Sequence, residues 1–302
     1  YNQAIKINPK LANVYNNKGL VYYNQREDDL ALTEFNKAIK INSKFTNAYN
    51  NRGLVYYNQR EDDLALAEFN RAILINPKYA DAYNNRGFVY YNQGKYDLAI
   101  DDYNQAIKIN SEFANAYNNR GLVYYNQGEY EEAIDNYNQA IKINSEFANA
   151  YNNRGLVYYN QGKYDLAIDN YNQAIKINSE FANAYNNRGN TYYNQGEYDL
   201  AINDYNQAIK INSEFANAYK NRGNTYYNQG EYDLAINDYN QAIKINSEYP
   251  TTYYDRGLVY KVRGNIEKTI SDFEKAADLY KEQGNKKWYQ NSLDRLKELR
   301  NN

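Results

Sequence analysis

One glycine recurs at a fixed interval of 34 residues along the chain. Its neighbours recur with it, commonly as Tyr-Asn-Asn-Arg just before the glycine and Tyr-Tyr-Asn-Gln shortly after it. The glycine stands at Gly19, Gly53, Gly87, Gly121, Gly155, Gly189, Gly223 and Gly257. A period of this length is typical of arrays in which each unit buries its apolar side only against its neighbours. The period therefore predicts a repeat protein with a long concave surface and argues against an enzyme.

The period divides the chain into three parts. Residues 12–283 hold eight units of 34 residues, residues 1–11 match the tail of a preceding unit, and residues 284–302 do not repeat. Because Tyr1 to Ile7 has the same sequence as Tyr137 to Ile143, we expect the chain to start partway through a helix, with more protein upstream. Residues 284–302 are predicted to form a helix that caps the apolar side of the last unit.

The composition argues against several kinds of partner. The formal net charge is −2, so the sequence indicates no basic surface for nucleic acid or an anionic membrane. No apolar run approaches the roughly 18 residues that a membrane span needs. The chain has no cysteine and no histidine, which removes the usual ligands of zinc, copper and haem iron. We expect a protein or peptide partner, with no cofactor, metal, nucleic acid or membrane. The compartment stays open, with the cytoplasm favoured.

Each unit is predicted to fold as a helix–turn–helix pair. In the fourth unit, Ala114 to Gln127 and Glu129 to Ile143 are the two helices, and Gly128 between them is a natural helix stop. Gly121 has no side chain, so we expect the helices to cross closely there, opposite the small Ala133. The second helix places its apolar residues on one stripe of a 3.6-residue helix, namely Tyr130, Ala133, Ile134, Tyr137, Ala140 and Ile141.

This pattern resembles that of the tetratricopeptide repeat (TPR) family. The resemblance covers residues 1–283 and rests, in the fourth unit, on Tyr117, Gly121, Tyr124, Ala133, Tyr137 and Ala140. The second unit also has the family's terminal proline, at Pro77. The resemblance implies an all-α fold, a right-handed α-solenoid (superhelix) of eight helix–turn–helix repeats plus a capping helix. The chain departs from the family just before the glycine, where leucine is usual and this chain has arginine or lysine.

One side of each first helix is predicted to be exposed. In the fourth unit, five residues fall within about 100° of one another, namely Asn115, Asn118, Leu122, Tyr125 and Asn126. The resemblance implies that this side lines a concave groove. The opposite side faces the core and includes Arg120, for which we expect packing or hydrogen bonding between units.

Two rows of asparagine recur on the first helices. The first row consists of Asn17, Asn51, Asn85, Asn119, Asn153, Asn187 and Asn221. The second row, beside it, consists of Asn16, Asn50, Asn84, Asn118, Asn152 and Asn186. Side-chain amides donate and accept hydrogen bonds as peptide groups do, so both rows are predicted to line the groove and hold an extended backbone. Codon bias toward asparagine is the alternative explanation.

A tyrosine row and an apolar row complete the predicted groove. The tyrosines are Tyr23, Tyr57, Tyr91, Tyr125, Tyr159, Tyr193 and Tyr227. They suit recognition because they give a large contact area with few rotors, although packing between adjacent first helices is the alternative. The apolar row is Leu20, Leu54, Phe88, Leu122 and Leu156, followed by Asn190 and Asn224. We expect an apolar ligand segment toward the amino-terminal half, unless the change only reflects copying of one unit.

Lys220 and Asn224 resemble part of the carboxylate clamp with which TPR cochaperones hold a C-terminal carboxylate. The next unit has Asp255 where the clamp needs a further asparagine, and an acid there would repel the ligand. Lys220 is therefore predicted to line the groove without completing a clamp.

Three functions fit these repeats. The favoured one is a non-catalytic scaffold that binds an extended peptide or a partner surface in the groove. A structural protein that self-associates through an open amino-terminal end into an oligomer or filament is the second. The third is the targeting arm of a larger upstream enzyme. A catalytic site needs a unique set of residues, whereas nearly every polar residue here is copied from unit to unit.

Overall fold

The computed structural model describes residues 11–300. These residues form two compact parts divided between Asn153 and Arg154, and from here on the first unit and the second unit mean these two parts, whereas the 34-residue units of the sequence are called repeats. The first unit contains α1 Ala12–Asn24, α2 Asp28–Ile41, α3 Thr46–Asn58, α4 Asp62–Ile75, α5 Ala80–Asn92, α6 Tyr96–Ile109, α7 Ala114–Gln127 and α8 Tyr130–Ile143. The division falls within α9 Ala148–Asn160. The second unit continues with α10 Tyr164–Ile177, α11 Ala182–Gln195, α12 Tyr198–Ile211, α13 Ala216–Asn228, α14 Tyr232–Ile245, α15 Pro250–Val262, α16 Ile266–Glu282 and α17 Lys286–Arg300.

The all-helical repeat fold predicted from the sequence is confirmed. Residues 11–300 contain 17 helices and no strand, and the helices alternate along each unit as pairs joined by tight turns. We call the first helix of a pair the A helix and the second the B helix. Within the same range, no helix is both long and apolar enough to cross a membrane. The predicted tail of a preceding repeat concerns residues of which only Leu11 is described.

The turn within each pair requires a residue in the left-handed conformation. Gly128 has φ +80° at the end of α7, and its N–H donates to the carbonyl oxygen of Tyr125 at 3.0 Å. Glycine adopts this conformation readily because it has no Cβ atom. In the first two pairs an arginine takes this place, Arg26 with φ +61° and Arg60 with φ +63°. A residue with a Cβ atom is strained there by about 1 kcal/mol or more.

The glycine in the middle of each A helix faces an aromatic ring of the B helix. A Cβ atom added to Gly121 would lie 2.8 Å from Cε1 of Tyr137, which is closer than real Cβ atoms approach. Tyr137 and Ala133 are both fully buried, as the apolar stripe predicts. The Tyr137 ring is thus the nearest neighbour of Gly121, and in equivalent repeats the carbonyl oxygen of the alanine at the Ala133 position also lies close, with that of Ala99 at 3.3 Å from a Cβ atom on Gly87.

The recurring arginine links neighbouring pairs, as expected for Arg120. In the third pair, Nε and Nη2 of Arg86 donate to both oxygens of Asp102 on its own B helix, at 2.8 and 2.6 Å. Nη1 of Arg86 donates to Oδ1 of Asn70 on the preceding B helix at 2.5 Å. Arg120 makes the same two links, to Asn136 on its own B helix and to Asn104 on the preceding B helix. The inward-pointing charge is thus satisfied between pairs.

The last helix packs on the last repeat through aromatic residues. Trp288 on α17 lies edge-on to the Tyr254 ring of α15, with ring centroids 5.4 Å apart. Its ring also stacks on Tyr280 of α16 at 5.9 Å. Leu296 of α17 is buried in the same cluster, which also includes Phe273. The helix therefore covers apolar surface that would otherwise face water.

Candidate ligand-binding face of the A helices

In the first unit, hydrogen bonds join the asparagine rows of neighbouring A helices. Nδ2 of Asn85 donates to Oδ1 of Asn50 on the preceding A helix at 2.9 Å. Nδ2 of Asn50 in turn donates to Oδ1 of its own neighbour Asn51 at 3.4 Å. The bond between helices recurs at 2.9–3.0 Å in four places, from Asn51 to Asn16, Asn85 to Asn50, Asn119 to Asn84 and Asn153 to Asn118. We call this chain of side chains the amide ladder, and each hydrogen bond between neighbouring A helices, with its first-row asparagine, a rung.

The second asparagine row is buried, so the expectation that Asn118 and Asn152 lie on the exposed side is wrong. Asn118 is 6% exposed and Asn152 is 8% exposed. The reason is visible at Asn118, whose Oδ1 accepts the hydrogen bond from Asn153 of the following A helix at 3.0 Å. The second row therefore supports the first row from behind.

The first row keeps unused hydrogen-bonding capacity. Asn51, Asn85, Asn119 and Asn153 are partly exposed on the A helices. Nδ2 of Asn119 has two hydrogens, of which one is used in the bond to Asn84. Oδ1 of Asn119 accepts only a long bond of 3.3 Å from Asn118. One N–H and one oxygen lone pair therefore remain at this amide, the set that a peptide group needs.

In the second unit the hydrogen bonding of the asparagine rows changes at Asn221 on α13, toward the carboxyl-terminal end. Nδ2 of Asn221 donates both to Oδ1 of Asn186 at 3.1 Å and to Oδ1 of Asn190 at 2.9 Å. Asn187 lies partly exposed on α11, beside the buried Asn186. One repeat after Asn221 the first-row residue is Asp255, and the second-row residue that would face it is Lys220 rather than asparagine.

The tyrosine row packs within and between repeats. The Tyr91 hydroxyl oxygen accepts a hydrogen bond from Asn126 of the next A helix at 2.6 Å, and its ring lies 6.0 Å from that of Tyr96 on its own B helix. Tyr159 likewise accepts from Asn194 at 2.7 Å. Tyr125 lies 6.0 Å from the ring of its own Tyr130. The rings of Tyr91 and Tyr125 thus pack on their own B helices, and the hydroxyls of Tyr91 and Tyr159 bond to the next A helix. A ligand role for the partly exposed faces of these rings stays a prediction.

The residues of the apolar row and the asparagines that replace them each stand 15 residues before a buried aromatic residue of the B helix. In the second unit, the buried Tyr205 hydroxyl donates to Oδ1 of Asn190 at 2.8 Å, and Tyr239 donates to Asn224 at 2.7 Å. In the first unit, Leu122 and Phe88 occupy the position of these asparagines and are partly exposed, as Leu156 is in the second unit. The corresponding buried hydroxyls of Tyr103 and Tyr137 have no hydrogen-bond partner in the described part of the chain.

A small polar pocket opens on the A-helix face of the second unit. Its volume is about 200 Å³, and we call it the amide pocket. It lies between α11, α13 and the end of α9, above the buried Tyr205. Its other lining residues are Tyr159, Asn190, Tyr193, Asn194, Asn221 and Asn224. None of them is charged, so the pocket presents only neutral donors and acceptors.

Asp255 is the one first-row acid, and it is partly buried. Burial raises the pKa of its carboxyl from 3.8 to about 6, and the positive charge of Lys220 opposes this rise only in part. Lys220 is partly exposed on α13 and is attracted to Asp255. The lysine therefore faces an acid of its own chain where the clamp would hold the carboxylate of a ligand.

A family model described as TPR repeat matches residues 27–59, 61–94, 90–128, 123–162, 157–196, 189–230 and 223–262. The chain belongs to the TPR family. The resemblance noted in the sequence is thus confirmed over most of the repeats. The chain is thus a TPR repeat scaffold, of a family that typically serves protein interaction and whose members are generally non-catalytic.

Solved structures show the same TPR fold at low identity. A chain of the APC/C hetero-tetramer Cut9–Hcn1 is 18% identical, with a TM-score of 0.71 over 88% of this chain and 52% of that chain. PilF of Pseudomonas aeruginosa is 19% identical, with a TM-score of 0.62 over 72% of this chain and 97% of that chain. The chain thus spans about half the length of the first of these structures. No curated protein matches it.

The TPR site contains two features that the sequence reasoning missed. The hydrogen bonds between the asparagine rows join residues 35 apart, one repeat plus one position, and the adjacent rows were the available signal. The amide pocket was missed although the change to Asn190 and Asn224 was noticed. The sequence signal for this pocket is the residue 15 positions later, which is a tyrosine after both asparagines and a phenylalanine only after leucines.

Proposed function

We propose that the A-helix faces hold an extended peptide segment of a partner protein, and that the first-row asparagines bind its backbone. The observation that supports this most directly is the unused N–H and lone pair at each rung of the amide ladder. A rung that offers both is complementary to the N–H and C=O of one peptide group. Because it reads backbone, the ladder tolerates many side chains in its ligand.

The spacing of the rungs suits an extended chain. Neighbouring packed helices lie about 8–10 Å apart, and an extended peptide rises about 3.3 Å per residue. One rung therefore meets about every third residue of the ligand. The ladder bonds hold Asn85 and Asn119 in fixed orientations, which lowers the entropy lost when a ligand binds.

The change in the apolar row gives the two units different expected ligand preferences. Phe88 and Leu122 of the first unit favour an apolar segment, whereas Asn190 and Asn224 of the second unit favour a polar one. We infer that the array is a non-catalytic scaffold, because its polar residues repeat without a unique cluster. Self-association through the amino-terminal end concerns residues outside 11–300 and stays a prediction.

The proposal is tested with peptides selected from a phage-displayed random library on the immobilised chain. Asn85→Ala with Asn119→Ala removes two groove amides and also breaks the rungs to Asn50 and Asn84. Each lost contact contributes about 0.5–1.5 kcal/mol, so affinity for a selected peptide should fall roughly 5- to 150-fold. Titration calorimetry measures this effect.

A matched control breaks the same two rungs from the buried side. Asn50→Ala with Asn84→Ala removes those hydrogen bonds but leaves the amides of Asn85 and Asn119 in the groove. It should lower stability and leave peptide affinity within about threefold, which is under 1 kcal/mol. Equal affinity losses in both double variants would show that the ladder only joins repeats, and failure to select any peptide would remove the proposal.

A further inference from the structure

The amide pocket of the second unit has donors that its own structure does not use. Oδ1 of Asn190 accepts from Tyr205 at 2.8 Å and from Asn221 at 2.9 Å, which occupies both lone pairs. Its two N–H hydrogens have no partner among residues 11–300. The Tyr193 hydroxyl accepts from Asn228 at 2.7 Å, so its own hydrogen is also available. Three hydrogens from two side chains thus remain for a ligand.

The same pocket has unused acceptors. Asn221 gives both of its N–H hydrogens to Asn186 and Asn190, and its Oδ1 has no partner among the described residues. Nδ2 of Asn194 donates to the Tyr159 hydroxyl at 2.7 Å, which leaves Oδ1 of Asn194 without a described partner. Donors and acceptors therefore line the same space of about 200 Å³.

We propose that the amide pocket binds the side-chain primary amide of a glutamine or asparagine in the peptide held on this face. A primary amide has one oxygen that accepts and two hydrogens that donate, so it pairs with both sets of groups. The proposal rests on the proposed function, since it names a side chain of that peptide. It adds a specificity that backbone binding by the ladder does not provide.

Other side chains match the pocket less well. A carboxylate only accepts hydrogen bonds, so Oδ1 of Asn221 and of Asn194 would face it unpaired. An ammonium group only donates, and it would leave the N–H groups of Asn190 unpaired. An alkyl side chain would bury all of these groups without a partner, which is unfavourable. Pairing with Tyr205 explains the oxygen of Asn190 but not its two free N–H hydrogens.

The first unit shows what closes such a pocket. Phe88 stands where Asn190 stands in the second unit, three repeats earlier. Its ring contacts Tyr57 edge-on at 5.7 Å and stacks on Tyr91 at 6.1 Å, so aromatic carbon fills the corresponding space. The Tyr103 hydroxyl below it has no partner in the described part of the chain. The two sites therefore offer reciprocal substitutions.

The test selects phage-displayed random peptides on the full chain and on Asn190→Leu. Leucine occupies this position naturally at Leu122, above a tyrosine of the same kind, so the variant is expected to fold. Peptides selected by the parent chain should be enriched in Gln or Asn at one position, and Asn190→Leu should lose that enrichment. Replacing that Gln by Glu, Lys or Leu in a selected peptide should weaken its binding about tenfold or more.

Two further variants sharpen the result. Tyr193→Phe keeps the ring but removes one donor, and it should weaken binding of the Gln peptide about three- to tenfold. Phe88→Asn should add a second Gln preference to the selected pool. Asn203→Ala, an exposed B-helix substitution, should change nothing.

The outcomes separate this inference from the function on which it rests. If the parent chain selects no peptides, both proposals are wrong. If it selects peptides without a Gln or Asn preference, the peptide scaffold stands and the amide pocket is not a specificity site. The same holds if Asn190→Leu and Tyr193→Phe both keep the preference, with circular dichroism showing that they are folded.

Discussion

Phe88 in the first unit and Asn190 in the second occupy the same position above a buried tyrosine, yet they make different surfaces. In the first unit, aromatic rings close the space and the Tyr103 hydroxyl has no described partner. In the second unit, Asn190 pairs with the Tyr205 hydroxyl and a polar pocket opens beside it. The buried tyrosine and glycine are unchanged. The chemistry of the A-helix face can therefore change in this array while the packing between paired helices stays constant.

The largest expected effect tests whether the packing is the same in the two units. A Cβ atom at Gly121 or at Gly189 would lie 2.8 Å from the facing Tyr137 or Tyr205 ring. Replacing either glycine by leucine overpacks the crossing and should lower the free energy of unfolding by about 3 kcal/mol. Urea denaturation measures both losses, and a difference above about 1 kcal/mol would show that the crossings are not equivalent.

The next effect concerns Asp255, where the second unit departs from the asparagine row. The folded-state pKa of about 6 lies above the ordinary 3.8, so the folded state holds this proton more tightly than the unfolded chain. Stability from this group is complete below about pH 4 and is lost as the pH rises through 6. Asp255→Asn should therefore stabilise the chain by about 1–3 kcal/mol near neutral pH and by little at about pH 4.

Urea denaturation over this pH range checks the Asp255 prediction. Asp233→Asn is the control, because that carboxyl is 76% exposed in its ion pair with Arg263 and should show no such pH-dependent gain. A constant difference between Asp255→Asn and the parent chain at all pH values would contradict the buried titration.

A smaller effect compares the buried tyrosine hydroxyls directly. Tyr205→Phe removes the hydrogen bond to Asn190 and should lower stability by about 0.5–1.5 kcal/mol. Tyr137→Phe removes a buried hydroxyl without a described partner and should raise stability by about 1 kcal/mol. Phe35, Phe69 and Phe273 occupy this position in other repeats, so the ring alone fits. Thermal unfolding that shifts both variants in the same direction would contradict the comparison.

The smallest effect concerns the turns that differ between the units. Arg60 has φ +63° in the first unit, whereas Gly196 has φ +81° in the second. Arg60→Gly should raise stability by about 0.5–1 kcal/mol, after the added entropy of the unfolded chain is subtracted. Gly196→Arg is the reciprocal variant and should lower it by a similar amount. Urea midpoints that do not move in opposite directions would exclude strain at Arg60.

Single-helix periodicity explains which features could be predicted. It placed Ala133 and Tyr137 in the core, and it assigned Arg120 to bonding between repeats, because these features depend on one helix and its repeat spacing. It could not decide that Asn118 is buried, because that depends on how the next A helix sets Asn153 against it. The amide pocket depends on three helices together, so a residue change at Asn190 alone did not reveal it.

Trp288 is the only tryptophan of the chain, and its ring packs against Tyr254 and Tyr280. Its fluorescence therefore reports on α17 and the last repeat, while far-ultraviolet circular dichroism averages over all helices. Because repeat arrays are coupled mainly between neighbours, the two signals need not change together. The separation of their midpoints in one titration measures how independently the carboxyl end melts, and no label has to be introduced.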